Sequence, residues 1–235
     1  MKKQSKILSL YQKTKIKKLV PFSKRARKNF GIYFKAYPRF KKVSMRVDTV
    51  PVIKDLLKKR SSERNFSKPI SFEDLSSILF YSSGRNMSSS SQPEHRFYPS
   101  AGGLFPLELY VINQKIKRGL KKGIYHLNPK DNSLEFINPN FDLIKKAFAE
   151  PFLKKASCVI LITAILGRSS IKYAARAYRY IFIEAGHIGQ NIYLCSKSRG
   201  VKCCSIGGFC DDIIEKYLDL DPNIEFPIYA VALGK

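Results

Sequence analysis

Long apolar runs are missing from this sequence. The longest, Cys158 to Leu166, is nine residues with a threonine inside it, whereas a helix that crosses a bilayer needs about twenty. Glycine and proline are not in excess either, at 13 and 12 of 235 residues, while 44% of the chain is hydrophobic. That balance excludes a collagen-like, low-complexity or disordered chain. The five cysteines are an odd number, scattered, and no secretory signal precedes them, so reduced thiols and a cytoplasmic location are expected. A domain of this length can bury roughly 70% of its unfolded surface without a disulfide or a metal to hold it.

Acidic residues are scarce as well, 18 against 43 Lys+Arg, for a formal net charge of +25. None falls in residues 1–46, which hold 16 Lys/Arg and leave a balance of 27 against 18 for the rest. Like charges in a block repel and resist packing. Residues 1–47 are therefore expected to form a polybasic extension, disordered or amphipathic, ahead of one domain over 48–235. Ile7, Leu8, Tyr11, Ile16, Leu19 and Val20 recur near helical spacing, which suits a basic helix making weak contact with an anionic surface or an acidic peptide. Lysines also release counterions from any polyanion, but a nucleic-acid arm ranks below the other readings. Lysine dominance argues against a transit peptide.

From residue 48 the pattern is that of a compact domain. Val52, Ile53, Leu56 and Leu57 fit one face of a short helix. Ser71 with Asp74 three residues on is a capping box, and Ile70 is placed to staple onto Leu75. Leu75, Ile78 and Leu79 carry that face to Gly84, and serine-rich residues 82–93 read as a loop. Strands are predicted at Leu107–Ile112, at Ile124–Leu127 with Leu134–Ile137 as a hairpin, and at Cys158–Leu166 as a buried central strand. A short helix is predicted over 141–149. Residues 174–199 form the longest helical segment, apolar on nearly every side, and are expected to be buried in a core or a subunit interface. Gly186 and Gly189 within it each cost up to about 1 kcal/mol against alanine, an expense that close approach of another helix can offset. Gly200 stops the segment. Val201–Ile206, a helix near 211–218 and Ile228–Leu233 complete an α+β pattern.

Five constellations can carry chemistry. Arg60-Ser61-Ser62-Glu63-Arg64 sets two guanidiniums four residues apart with hydroxyls between them, a donor set that can hold a phosphate. Pro99-Ser100-Ala101-Gly102-Gly103 precedes a strand, and its glycines let backbone come close to a planar ligand. Ser205-Ile206-Gly207-Gly208-Phe209 follows a strand and precedes a helix, where a glycine pair can aim N–H groups at an acceptor. The G-x-G-x-x-G spacing and the P-loop are both absent. Arg168, Lys172-Tyr173, Arg176 and Arg179 lie between the buried strand and the buried helix. A lysine beside a tyrosine can transfer protons where burial tunes the lysine. Cations at a helix start oppose the macrodipole, which points to a ligand or carboxylate partner. Glu184, His187 and Asn191 share one stripe of the long helix, where buried polar groups must be paired, so a structural network is expected. Adjacent Cys203 and Cys204 point to opposite strand faces, and the three histidines lack ligand spacing, so no metal site is expected.

In this order, and with Ile171-Lys172-Tyr173, Arg176-Ala177-Tyr178-Arg179, Glu184-Ala185-Gly186-His187 and Gln190-Asn191 between them, these segments resemble the SagB-type dehydrogenases. That group, the thiazoline or azoline oxidases, is a branch of the nitroreductase-like FMN enzymes. The resemblance covers about residues 50–235. It implies an α+β fold with a central, mostly antiparallel sheet wrapped by helices, working as a homodimer with FMN at each subunit interface. By that resemblance Arg60, Ser62 and Arg64 grip the FMN phosphate and ribityl chain. Ser100 and Gly102 approach the flavin from the partner subunit, and Gly207 and Gly208 offer backbone N–H to its edge. Lys172 and Tyr173 match the pair that removes or relays the substrate proton. The implied reaction oxidises a thiazoline or oxazoline in a modified peptide to the azole, beside a cyclodehydratase acting on a ribosomal precursor peptide. General NAD(P)H-dependent nitroreduction is the alternative within the class, and a basic binding module for anionic partners is the alternative outside it. The early stop at Lys235 leaves that one residue for the basic phosphate ligands that a longer tail supplies in many nitroreductases.

Overall fold

The computed structural model describes residues 9, 11–15, 53–86, 95–116 and 118–235. Most of the polybasic extension, its boundary at residue 47 and most of the serine-rich loop lie outside the described residues. The order is α1 (Lys54–Lys59), α2 (Phe72–Ser83), β1 (Leu107–Asn113), β2 (Gly123–Asn128), β3 (Ser133–Asn138), α3 (Leu143–Ala147), β4 (Cys158–Ile165), α4 (Leu166–Tyr173), α5 (Ala177–Ser198), β5 (Lys202–Ile206), α6 (Asp211–Leu218) and β6 (Glu225–Gly234). Six strands pair in the order β3-β2-β1-β4-β6-β5, antiparallel throughout, so the expected α+β class and antiparallel sheet are what the chain adopts.

Side-chain alternation splits the core in two. Leu107, Leu109, Val111, Ile160, Ile162 and Leu233 face α2 and α5. Tyr110, Ile112, Val159, Leu161 and Ala232 face α3, α6 and the turn at Pro151–Lys155. β4 lies inside both layers, which is why its sequence is an unbroken apolar run. Cys203 belongs to the α5 side, and Cys204 points to the opposite face.

Helix α2 starts as its sequence specifies. Asp74 N–H donates to Ser71 Oγ (3.0 Å) and Ser71 N–H donates to Asp74 Oδ2 (3.4 Å), with Ile70 and Leu75 buried in one core. Asp74 does more than cap. Its carboxylate accepts from Arg199 Nε at the end of α5 (2.9 Å) and from Lys235 Nζ at the chain end (2.7 Å). Burial pushes this carboxyl up, but the bonds from Lys235, Ser71 and Arg199 outweigh it and hold the group below the usual carboxylate range. The Nζ of Lys235 is thus engaged by Asp74, not offered to a phosphate.

The long helix departs from its prediction. It does not begin at residue 174: β4 runs directly into α4, which ends at Tyr173, and α5 starts at Ala177. Ala174 makes the break with φ 46° and ψ −129°, a conformation that costs a non-glycine residue of order 1–3 kcal/mol. Nor does a helix fill the space at both glycines. A Cβ on Gly189 would come within 2.6 Å of the Tyr229 ring on β6, whereas nothing lies within 4 Å of one on Gly186. One face of α5, with Phe182 and Ile183, is open.

Part of the basic extension rests on the domain. Tyr11 stacks on Phe226 at 4.3 Å between centroids and donates to Glu215 Oε1 at 2.6 Å, and Lys15 pairs with Asp212 and Glu215 at 2.5 Å. No helix among the described residues is long and apolar enough to cross a membrane.

Because Asp74 joins α2, α5 and the C-terminus, Asp74→Ala is expected to lower unfolding free energy by about 2 kcal/mol, combining a lost cap with two partly exposed ion pairs. Asp74→Asn loses less, since an amide oxygen still accepts from Ser71. Urea denaturation that leaves the alanine variant as stable as wild type would refute this role.

Candidate active site

The residues singled out in the sequence fall into two groups at different levels of α5. The first centres on Tyr193. Its hydroxyl meets Ser62 Oγ at 2.8 Å and Ser205 Oγ at 3.1 Å, and accepts the Ser205 N–H at 3.0 Å. The Arg60 guanidinium lies 5.5 Å from the Tyr193 ring centre, within cation–π reach. Glu63 N–H donates to the Cys203 carbonyl and its carboxylate pairs with Lys197, so residues 60–64 lie along β5. Arg60 and Arg64 are exposed, and among the described residues neither has a carboxylate partner. Gly207 and Gly208, just beyond β5, are exposed with nothing within 4 Å of a built Cβ. Arg60, Ser62 and Ser205, which leads into the bare glycine turn, therefore meet at Tyr193 on the α5 side of the sheet end, while Arg64 lies over Phe152 of the opposite layer.

The second group joins the end of α4 to the turn around the 3₁₀ stretch Ala101–Gly103. Gly102 has φ +67°, and a Cβ there would lie 2.6 Å from Tyr173 Oη and 3.0 Å from Lys172 Nζ. The turn and the Lys-Tyr pair thus touch within one chain. Arg168, one helical turn before Lys172, clamps them together: it donates to the Phe105 carbonyl at 3.0 Å and pairs with Glu108 of β1 at 2.5 Å. Tyr173 packs edge-on against Tyr180. Lys172 sits in the last turn of α4, where the macrodipole favours a cation. For Lys172 the expected clash does not arise, whereas Arg168 in the first turn of α4 and Arg176 and Arg179 at the start of α5 do sit at helix starts, Arg168 being paired with Glu108. Lys172 is also exposed, not buried, and its neighbour Ile171 is 90% exposed.

Glu184 supports this turn from below. It is 2% exposed, and its Oε2 accepts from Ser100 Oγ at 2.8 Å while Ser100 Oγ accepts the Phe105 N–H at 2.9 Å. Its Oε1 is buried with no hydrogen-bond partner among the described residues. Burial pushes this carboxyl up to about 7, against the opposing pull of Ser100 and Arg96. Asn191 donates to the Ser82 and Phe97 carbonyls, tying α2 to the strand of chain leading into the turn. The structural network expected on this stripe thus includes Glu184 and Asn191, while His187 is exposed. Beside the turn opens a cleft of about 600 Å³ lined by His95, Arg96, Tyr98, Ser100, Gly102 and Phe105. Among the described residues no group of His, Cys, Asp or Glu is arranged to hold a metal ion.

One contributor escaped the sequence pattern. Tyr193 reads as one more apolar residue of the long helix, although a buried tyrosine needs a partner for its hydroxyl. Arg168 belongs to the cations for which the sequence predicts a ligand or carboxylate partner, and the fold supplies Glu108.

An antiparallel sheet between helical layers, with exposed arginines and a bare glycine turn near one edge, is the framework that carries these groups. The chain belongs to the nitroreductase family, whose pattern it matches over residues 57–235. It is 32% identical over 187 residues to a protein of Methanocaldococcus jannaschii named for the nitroreductases, covering 78% of this chain and 90% of that one. It is 25% identical to the trifolitoxin-processing protein TfxB of Rhizobium leguminosarum bv. trifolii (71% of this chain) and 26% identical to the microcin B17-processing protein McbC of Escherichia coli (59% of this chain). The matches span 48% and 54% of those two proteins. In fold it is similar to a chain of the E. coli microcin synthetase McbBCD complex, with TM-score 0.69 at 20% identity over 98% of this chain and 93% of the other.

Ionising Glu184 costs the folded state, since its folded value of about 7 exceeds the unfolded carboxylate value. This contribution is therefore largest in acid and declines as the pH rises from about 4.5 through 7, by on the order of 3 kcal/mol. Glu184→Gln, which cannot ionise, should flatten the stability profile between pH 5 and 8. Superimposable wild-type and variant profiles from denaturant titrations would rule out a buried, ionising carboxylate.

Proposed function

We propose that this chain is an FMN-dependent dehydrogenase of the azoline-oxidising, SagB-like type, working as a homodimer on a modified peptide. The observation that carries the reading is the division of the site into two half-sites. Glu184 and Tyr193, which hold the two halves, are nine residues apart on α5, or about 14 Å along its axis. Two-fold pairing across the open face at Phe182 and Ile183 would set the Ser100–Gly102 turn and Lys172–Tyr173 of one protomer against the arginines and glycine turn of the other. An isologous interface of this kind completes two equal sites.

The residues fit a phosphorylated planar cofactor. Arg60 and Arg64, without carboxylate partners among the described residues, can take a phosphate with the Ser62 hydroxyl beside them. Gly207 and Gly208 leave main chain open to a flat edge. FMN, when bound, supplies the hydride acceptor. Lys172 Nζ and Tyr173 Oη then serve as the proton-accepting pair for the ring hydrogen that must leave as a proton, and the Gly102 turn, pressed against both, fixes their direction. The exposed Ile171 and the adjoining cleft suit a peptide substrate more than a small buried one. Relatives named for trifolitoxin and microcin B17 processing favour the same class, with a cyclodehydratase and a precursor peptide as partners. A cytoplasmic setting accords with five free cysteines.

Purified protein mixed with FMN should turn yellow, retain the flavin through gel filtration and bleach with dithionite. Arg60→Ala with Arg64→Ala should weaken that retention, and a chain that ignores FMN overturns the reading. Lys172→Ala should keep the flavin but lose ~10²–10⁴-fold of azoline-peptide oxidation. Equal turnover in that variant, with brisk NAD(P)H oxidation on a nitroarene, would favour general nitroreduction instead. Ile183→Glu should sediment as a monomer and bind flavin weakly; a variant that remains dimeric and yellow would move the interface elsewhere.

A further inference from the structure

From the same half-site we infer that Tyr193 is a positioning residue that couples the phosphate-gripping segment to the glycine turn, so that neither contact to the flavin forms independently. The inference rests on the FMN reading and adds a residue and a linkage to it. Two segments distant in sequence, Arg60–Arg64 and Ser205–Gly208, meet through one phenol oxygen. That oxygen accepts the Ser205 N–H at 3.0 Å and lies 2.8 Å from Ser62 Oγ and 3.1 Å from Ser205 Oγ. A phenol has one proton to give. With an N–H already directed at its oxygen, that proton goes to one serine and the other can donate in return, Ser205 also being hydrogen-bonded to the Tyr229 hydroxyl. The three hydroxyls therefore orient as a set, and reorienting Ser62 toward a ligand changes what Ser205 feels.

The ring adds rigidity. Tyr193 is buried in the α5-side core, so the oxygen is held by packing as well as by its bonds. Its ring centre lies 5.5 Å from the Arg60 guanidinium, so that exposed arginine also rests on the residue that holds the turn. Ser205 is the second-last residue of β5, and Gly207 and Gly208 follow directly. An anchor on the Ser205 main chain sets where that turn leaves the sheet. Pulling on Ser62 through a phosphate and pulling on the glycine turn through a planar ring are two loads on one tether. Such a shared support is a coupling free energy between contacts, and it is reciprocal.

Tyr193→Phe removes the oxygen and keeps the ring, so the core and the Arg60 contact persist. Two probes separate the loads: FMN, and riboflavin, which lacks the phosphate. By fluorescence quenching the variant is expected to bind FMN about tenfold more weakly than wild type and to lose a similar factor for riboflavin, because the glycine turn has lost its anchor. Ser205→Ala, which keeps the Tyr193–Ser62 contact, should show a smaller loss of the same kind and guards against a phenylalanine variant that folds poorly. Wild-type affinity for both probes in the two variants overturns the inference. So does a loss confined to FMN, which would make Tyr193 a phosphate-side residue only. If wild type takes up neither probe, it is the FMN reading itself that fails, and a result on the variants cannot be confused with that.

Discussion

A helix with one face in the core tolerates polar side chains there chiefly where they are paired, and α5 pairs its own with the segments that build the site. Glu184 takes the Ser100 hydroxyl, Asn191 takes the Ser82 and Phe97 carbonyls, and Tyr193 takes Ser62 and Ser205. Four separate stretches of chain are referred to one rigid rod. In a low-dielectric core an unmade bond of this sort costs roughly 1–3 kcal/mol, so each pairing fixes a segment as firmly as it satisfies the helix. The exceptions on this helix among the described residues are Ser196 Oγ and the incomplete pairing at Glu184 Oε1. The latter is consistent with a carboxyl that stays neutral up to about pH 7.

The fold was legible wherever a local rule dominates. The Ser71–Asp74 box, the hairpin at residues 124–137 and the apolar run of β4 each depend on neighbours in sequence, and each forms where its pattern places it. The break at Ala174 depends on no such rule. Alanine is the best helix former, and nothing in its neighbourhood announces a positive φ. Reading the helix as starting at residue 174 joined the wrong elements and made Lys172 look misplaced. The site was legible as a set of segments but not as an assembly: Arg60 and Ser62 meet beside β5 and Gly102 meets Lys172 and Tyr173. The cation at Arg168 signalled a carboxylate partner, which is Glu108, whereas Tyr193, which joins Ser62 to Ser205, carried no signal beyond type.

Charge is distributed to the same end. The domain keeps its few acids at structural junctions: Asp74 at the meeting of α2, α5 and the C-terminus, Glu108 between Arg168 and His126, Glu215 beneath Tyr11 and Lys15. Basic residues that lack such partners among the described residues, Arg60 and Arg64 among them, face outward. A strongly basic chain that spends its carboxylates on its own scaffold leaves a positive surface at such residues, and its field acts over about a Debye length, roughly 8–10 Å at moderate salt.

The strained residue at Ala174 bears on the chemistry as well as on the helix count. Had α4 and α5 been continuous, Lys172 and Tyr173 would lie in the first turns of a long helix, where the dipole opposes a cation, and their side chains would follow that helix's faces. Breaking the chain after Tyr173 instead puts both at a helix C-terminus, with Gly102 against them and Arg168 anchoring the same short helix to β1. The strain of order 1–3 kcal/mol is offset by that anchor and by the edge-on packing of Tyr173 on Tyr180. What it secures is direction: an amine and a phenol presented together, from a fixed end, toward an open surface. Proton transfer needs that alignment more than it needs burial, which accounts for an exposed lysine standing at the centre of the proposed chemistry.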